Sequence, residues 1–402
     1  MSEVQKILES HPHWPAVEVI YHRLQAHGYK AFLAGGCVRD ALLGIQANDL
    51  DVATDASPDQ IEGLFEKTVN VGKIFGVMRV LVEGADIEVA TFRTDGTYQD
   101  GRRPEGVQFS TPEQDAERRD FTVNALFYDL GTKKVLDFVN GEADLRQGLL
   151  KTVGIPDRRF QEDHLRLLRA ARFVGQLDFR LDPQTFEALK RMSSLVKTVS
   201  GERLRDEMGK ILKSKAVGKG LQIMEESDLM AHLFPFRLRD NRWEGSCGAK
   251  SPWQLLSLFV RQTTKDELVA TLQLLKLSGK EQRAIERAWE LWQNPAAFFA
   301  MNLGKKLQKL PDEGTLWALQ VLEFEGSSWQ QALIDLFKEW DLLQRHIPAP
   351  FLSGDDVKGQ LTGRAIGACL EEALELQLER KLRSRDEALQ WLKEYLERET
   401  HG

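Results

Sequence analysis

The chain has 402 residues, 42% of them hydrophobic and 29% charged, with a formal net charge of −7. That is room for more than one domain and the composition of an ordinary globular protein, which excludes a disordered or fibrous chain. The acidic balance excludes a uniformly basic nucleic-acid binder, and no apolar run approaches the roughly 20 residues needed to span a bilayer.

Met1-Ser2-Glu3-Val4-Gln5-Lys6 lacks the layout of a signal peptide. Residues 1–30 read as one leading helix, with Val17, Ile20, Leu24 and His27 at helical spacing and His27 at its end. Ala31-Phe32-Leu33-Ala34 reads as a short apolar strand. Gly35-Gly36 then lets the backbone turn sharply and approach a phosphate closely. Val38 to Leu43 is helix-like, so its first amides would face that phosphate, and Gly44 ends it. Leu50-Asp51-Val52-Ala53 reads as a second strand, whose alternation puts Asp49 and Asp51 on one face and Leu50 on the other. Two carboxylates so close repel each other and suit divalent cations. Mg²⁺ prefers carboxylates plus substrate phosphate oxygens, and two such ions can clamp an attacking hydroxyl and a leaving pyrophosphate.

Strand, Gly35-Gly36, a helix carrying Arg39-Asp40, then Asp49-Leu50-Asp51 form an ordered set. It resembles the opening motif of the nucleotidyltransferase superfamily, in the form carried by class II tRNA nucleotidyltransferases and bacterial poly(A) polymerases. The resemblance implies an α+β fold: a small N-terminal mixed β-sheet head (1–145), an all-helical neck with a base-selecting helix (146–220), and a helical body and tail that bind tRNA (221–402). It also implies that Gly35, Gly36 and Arg39 position a triphosphate.

Asn70 to Val82 looks like one strand entered through a glycine bend, Glu83-Gly84-Ala85 a tight turn, and Asp86 to Phe92 the return strand. Ile87, Val89 and Thr91 share one face; Asp86, Glu88 and Ala90 share the other. Glu88 is the choice to complete a carboxylate triad, against a plainly solvated hairpin face. Arg93 to Phe109 reads as a long loop without periodicity, of the length that is usually functional or disordered. It resembles the loop linked in the family to switching from C to A addition. Asp115-Ala116-Glu117-Arg118-Arg119-Asp120-Phe121-Thr122-Val123-Asn124 carries the family's second motif. Adjacent guanidiniums can meet triphosphate oxygens bidentately. Carboxylates and Asn124 can meet sugar hydroxyls or orient those arginines. By position, the resemblance assigns nucleotide contact to Asp115, Arg118, Arg119, Asp120 and Asn124. Asp137 and Asp144-Leu145 fall in a connector that reads as structural.

Phe160 to Phe173 reads as one amphipathic helix. Leu165, Leu168 and Phe173 are on its buried side, and Glu162, Asp163, Arg166 and Arg169 lie toward the other. Asp163 and Arg166 are helical neighbours, either a surface ion pair or a base reader. A carboxylate accepts and a guanidinium donates. Cytosine and adenine each present an amine beside a ring acceptor and fit that pair. Guanine and uracil present the reverse order and would leave groups unpaired, at roughly 1–3 kcal/mol each. Glu162-Asp163-x-x-Arg166 also matches the family's fourth motif, so the resemblance implies base selection here, with Arg169 added to the nucleotide-binding set. Val199 to Met208 resembles the fifth motif and reads as support for this helix. Phe186 to Gly220 holds nine Lys/Arg against four acids, a tRNA-backbone surface or a solvated helix face. From 221 onward the text is amphipathic helices whose Leu and Trp residues read as core. Cys37, Cys247 and Cys369, odd in number and far apart, argue against disulfides or zinc and for the cytoplasm.

The expectation is therefore a template-independent enzyme adding C, C and A from CTP and ATP to tRNA. Its metal would be Mg²⁺ on Asp49 and Asp51, with no membrane and no obligate protein partner. An A-adding enzyme, a poly(A) polymerase and an idle RNA-binding module are the alternatives. Gly72-Lys73-Ile74-Phe75-Gly76 resembles the tRNA enzymes rather than the polymerases.

Overall fold

The computed structural model describes residues 2–96, 107–236 and 251–401, which fall into two compact units, Met1–Arg237 and Leu238–Gly402. The fold is α+β, with the large sheet in the first unit.

The first unit opens with two helices rather than one, α1 (Glu3–Glu9) and α2 (Trp14–Ala26). Pro12 separates them: it has no N–H to give a helix and disfavours helical backbone at the residue before it. Val17, Ile20 and Leu24 are fully buried, and His27 caps the end of α2. The strands that follow are β1 (Ala31–Ala34), β2 (Val52–Thr54), β3 (Thr68–Gly72), β4 (Val77–Val82), β5 (Ala85–Thr91), β6 (Arg93–Asp95), β7 (Val107–Phe109), β8 (Leu126–Asp129) and β9 (Lys134–Asp137). Seven of them form one mixed sheet in the order β3-β4-β5-β2-β1-β8-β9. Only β2 and β5 pair in parallel; the other neighbours are antiparallel. Helix α3 (Gly36–Leu42) follows β1, and α4 (Pro58–Leu64) follows β2 behind a Ser57–Gln60 capping box. Phe32, Phe92 and Phe127 pack ring on ring at 5.9–6.4 Å within the sheet's core. Buried side chains of this size are worth roughly 1.5–3 kcal/mol each.

The expected single strand over 70–82 is two. A 3₁₀ turn, Lys73–Phe75, separates β3 from β4, and Gly76 closes it at φ 78°. The Lys73 ammonium pins this turn to Asp59 and Glu62 of α4. The hairpin after β4 is as expected: Glu83 (φ 50°) and Gly84 (φ 71°) both take the left-handed conformation of a two-residue hairpin turn. The 93–109 segment is not loop throughout, because β6 and β7 pair antiparallel at its ends; its centre, 97–106, lies outside the described residues.

Helices α5 (Pro112–Glu117) and α6 (Gly141–Arg146) flank β8 and β9 in the chain. Asp137 and Asp144 are structural, as expected. Asp137 accepts from the amides of Val139, Gly141 and Glu142, and Asp144 from the Thr122 hydroxyl at 2.7 Å. The unit continues through α7 (Pro156–Glu162), α8 (Leu165–Leu177), α9 (Pro183–Met192), α10 (Gly201–Leu212), α11 (Val217–Glu226) and α12 (Leu229–Leu233). This part is not wholly helical: Leu149–Leu150 and Arg180–Leu181 pair as a two-residue parallel bridge.

The second unit is built of helices among the described residues, from Pro252–Val260 to Arg385–His401. One apolar cluster includes Trp292, Phe299, Leu333 and Trp340; another includes Leu352, Val357, Cys369 and Leu392. Trp253, Trp292, Trp317 and Trp340 are all buried, as the sequence indicates. The last two helices are Arg364–Leu378 and Arg385–His401. Cys37 and Cys369 are buried, and Cys247 lies outside the described residues. Among the described residues, no helix is long and apolar enough to cross a membrane.

Candidate active site

The sheet register sets out the carboxylates. Val52 of β2 pairs with Val89 of β5, and both are buried. The residues just before them, Asp51 and Glu88, therefore lie side by side on the opposite face. Asp51 is tied to the end of β1 by the Ala34 amide, which donates to its carbonyl at 3.0 Å. The strand expected from Leu50 begins only at Val52, so Asp49 and Asp51 precede β2; Leu50 between them is buried, Asp49 exposed and Asp51 half-buried, the alternation expected. The Asp51 carboxyl is pushed up to about 6, first by burial, then by Glu88 and Asp49, against the pull of Arg119. Glu88 is raised too, by desolvation and by Asp49, while Arg79 and Arg93 oppose the shift. Crowded acids that resist ionising are a patch a cation would relieve. Among the described residues no three His, Cys, Asp or Glu side chains are preassembled to hold an ion. Two aspartates still fit Mg²⁺, which is usually held by one or two carboxylates and completed by substrate phosphates.

The arginine pair is organised by one buried acid. Asp115 Oδ1 accepts from Arg118 Nε at 2.9 Å and Nη2 at 2.6 Å, and from the Arg93 amide at 3.2 Å. Its Oδ2 accepts from Arg119 Nε at 3.1 Å and Nη2 at 3.0 Å. Burial would raise this carboxyl, but Arg118 and Arg119 outweigh it and hold it below the usual range. Asp115 thus orients the arginines, and both side chains keep about a fifth of their surface open, 21% and 20%. Gly35 sits at φ 79°, and a Cβ there would meet Arg119 Nη1 at 2.9 Å. The first glycine of the pair thus serves both the turn and the seat of Arg119.

A second network stands behind the first. Arg39 is buried and donates to Asp40 at 2.8 Å and to Asn124 Oδ1 at 2.5 Å. The Asn124 amide donates to Asp120 Oδ1 at 3.1 Å, and Arg169 Nε donates to Asp120 Oδ2 at 2.7 Å. Burial alone would raise Asp120; Arg169, Asn124 and Arg166 more than reverse it and hold the carboxyl at about 2. Arg39, Arg169 and Arg172 all lie over the Phe173 ring, at 5.5, 5.2 and 3.8 Å from its centre. These contacts join β1–α3, the second motif and α8 into one frame. Asp40, which the sequence reading left without a role, and Phe173, which it placed only on the buried side of the helix, belong to it.

The segment expected to select the base differs from expectation. It is not one helix: α7 ends at Glu162, Asp163 is extended (φ −140°, ψ 107°), and α8 starts at Leu165. The Asp163 carboxylate competes with helical pairing by accepting the Leu165 amide at 3.0 Å. Leu165, Leu168 and Phe173 are buried as expected. Asp163 and Arg166 do not pair as helical neighbours. Arg166 Nη1 donates to Glu162 at 2.7 Å and to the Arg159 carbonyl at 3.1 Å, and Nη2 donates to the Arg118 carbonyl at 3.0 Å. Asp163 instead accepts from Arg203 of α10. The Glu162–Arg166 spacing was readable from the sequence. The Arg203 contact, 40 residues away, was not.

The sheet, the acids at β2 and the acid-held arginine pair define a nucleotidyltransferase head. Accordingly, the model of the "Poly A polymerase head domain" matches residues 31–151, and that of the "Probable RNA and SrmB- binding site of polymerase A" matches 178–238. The CCA-adding enzyme of Bacillus licheniformis is 38% identical over 273 residues, 68% of this chain and 67% of that enzyme. The CCA-adding enzyme of Bacillus pumilus is 45% identical over 215 residues, 53% of this chain and 54% of that one. The crystal structure of the Bacillus stearothermophilus CCA-adding enzyme in complex with CTP superposes with TM-score 0.80 at 27% identity, covering 98% of this chain and 100% of that one. The chain belongs to the CCA-adding enzyme family. In sequence it spans about half to two thirds of the length of the curated relatives it matches, 54% and 67% for these two.

Proposed function

We propose that this chain adds C, C and A, from CTP and ATP, to the 3′ end of tRNA without a nucleic-acid template. The observation that carries the reading is the proximity of Asp49, Asp51 and Glu88 beside the β2–β5 pairing, where the acids raise one another and Asp51 is pushed up to about 6. Family membership and a head matching the poly A polymerase model support it. Asp49 and Asp51 would hold Mg²⁺, with Glu88 beside them; bound there, the ion would activate the RNA 3′ hydroxyl and neutralise the leaving pyrophosphate. Arg118 and Arg119, aimed by Asp115, bind the triphosphate bidentately. Gly35 and Gly36 give the close backbone approach, and Arg39, Asn124, Asp120 and Arg169 brace it. Asp163 and Arg166 select the base, with the carboxylate accepting the amine of cytosine or adenine. The Lys/Arg excess of 186–220 and the second unit hold the tRNA by backbone and shape. The cytoplasm, where tRNA and nucleoside triphosphates meet, is the compartment the reading calls for.

The test is incorporation of labelled CTP and ATP into tRNA lacking CCA, for the wild type and for Asp49→Asn and Asp51→Asn. Each substitution should cost about a thousandfold or more, because activation of the hydroxyl is lost. The thermal midpoint should hold or rise, because carboxylate repulsion is relieved. A folded Asp51→Asn variant within tenfold of wild type would overturn the reading.

A further inference from the structure

We infer that His11 is a positioning residue for the metal-binding aspartates: it anchors the chain immediately before Asp49. The inference rests on the proposed Mg²⁺ seat at Asp49 and Asp51. The chain from Gly44 to Asp51 is irregular and β2 begins only at Val52, so Asp49 stands outside the sheet ladder. Two anchors flank it instead. On one side Leu50 is buried, only 2% exposed. On the other, the Asn48 carbonyl accepts from His11 Nε2 at 3.3 Å. Two residues earlier, Gln46 Nε2 donates to the Ser10 carbonyl at 3.1 Å. The junction of α1 and α2 thus grips the loop at two points, one of them next to the carboxylate that would hold the ion.

His11 is itself firmly held. Its ring is buried, its amide donates to the Leu8 carbonyl at 3.1 Å, and its carbonyl accepts from the Trp14 amide at 2.9 Å. Helix α1 also packs on α3, the helix that follows Gly35. The ring's tautomer follows from its contacts. The His13 amide donates to Nδ1 at 3.1 Å, so Nδ1 is an acceptor and the ring proton sits on Nε2. Nε2 can then only donate, and the Asn48 carbonyl is the group that receives it. Asp51 needs no such help, since the Ala34 amide already holds its carbonyl. Mg²⁺ demands near-ideal octahedral geometry, so a loosened Asp49 should weaken the ion's seat even with Asp51 in place.

The experiment measures Mn²⁺ binding by electron paramagnetic resonance in the absence of nucleotide, and the Mg²⁺ concentration that half-saturates kcat on tRNA lacking CCA. Mn²⁺ is the probe because carboxylate oxygens suit it as they suit Mg²⁺. Both are run on the full chain and on the variants His11→Ala, His11→Gln and Asp49→Asn. His11→Ala should weaken Mn²⁺ binding and raise the half-saturating Mg²⁺ by about tenfold, with KM for CTP at saturating Mg²⁺ within twofold of wild type. His11→Gln should restore most of both, because its amide NH₂ can donate to the same carbonyl. A folded His11→Ala variant that binds Mn²⁺ like wild type, or that raises KM for CTP with its metal requirement unchanged, would overturn the inference. So would a folded His11→Gln variant as weak as His11→Ala. If His11→Ala does not fold, His11→Phe, which keeps the ring's bulk and lacks the donor, decides by the same two readings. Asp49→Asn should lose Mn²⁺ binding; a folded Asp49→Asn variant that keeps it would instead refute the proposed metal seat, on which the inference rests.

Discussion

Replacing Asp115 with asparagine changes one atom at the centre of the arginine pair. The carboxylate receives three contacts on Oδ1, from Arg93 and Arg118, and two on Oδ2, from Arg119. If the amide oxygen keeps the Oδ1 position, its NH₂ group faces Arg119 Nε and Nη2, donor against donor. Two charge-assisted hydrogen bonds are then lost, at roughly 1.5–3 kcal/mol each in full burial. Arg119 is 20% exposed, so water can rehydrate it, and the loss should fall to about 2–4 kcal/mol. For a unit of this size each kcal/mol shifts the melting midpoint by about 2–4 °C. Asp115→Asn should therefore melt roughly 4–16 °C lower than wild type. Arg119, no longer aimed, should also raise KM for CTP and ATP by about tenfold. Differential scanning calorimetry and steady-state kinetics measure the two effects. A variant with unchanged midpoint and unchanged KM would refute the idea that Asp115 organises the pair.

Gly35→Ala places a side chain at φ 79° and within 2.9 Å of Arg119 Nη1. It should destabilise by about 1–3 kcal/mol and raise the triphosphate KM several-fold, whereas Gly36→Ala should do much less. Asp120 sits at about 2 in the fold against about 3.9 unfolded. Its contribution, on the order of 2 kcal/mol, is present above pH 4 and lost as pH falls toward 2. Urea denaturation across pH 2–5 should show a shallower slope in Asp120→Asn than in wild type; equal slopes would contradict the network. Gly314→Ala puts a Cβ 1.9 Å from the Ala284 carbonyl oxygen in the second unit. It should cost about 3 kcal/mol or more there and leave nucleotide KM values within twofold of wild type, as measured by the same melts and kinetics.

Local chemistry was legible in the sequence and long-range pairing was not. The Gly35-Gly36 turn, the Asp49/Asp51 alternation, the Glu83-Gly84 hairpin and the Arg118-Arg119 pair each depend on neighbours within a few residues, and each stands where the sequence puts it. The divided strand at 72–76 had its signal in two flanking glycines, but the deciding contact, Lys73 to Asp59 and Glu62, is tertiary. The break at Asp163 had one faint local signal, a carboxylate that can take a nearby amide: no glycine or proline interrupts Phe160 to Phe173, and the apolar period runs through it. The partner that stabilises the break is Arg203, 40 positions later. Arg39 shows the same limit. Its place after two glycines suggested a phosphate, while the fold buries it against Asn124 and Phe173.

One tRNA prepared in three forms, lacking CCA, CA or only the final A, tests the central claim most directly. Each form is offered CTP, ATP or both with Mg²⁺, and products are resolved at single-nucleotide length. The account predicts that the shortest form gains C, C and A and then stops. Addition of A alone to the form ending in CC, long A tails on unrelated RNA, or no addition to any form would contradict it.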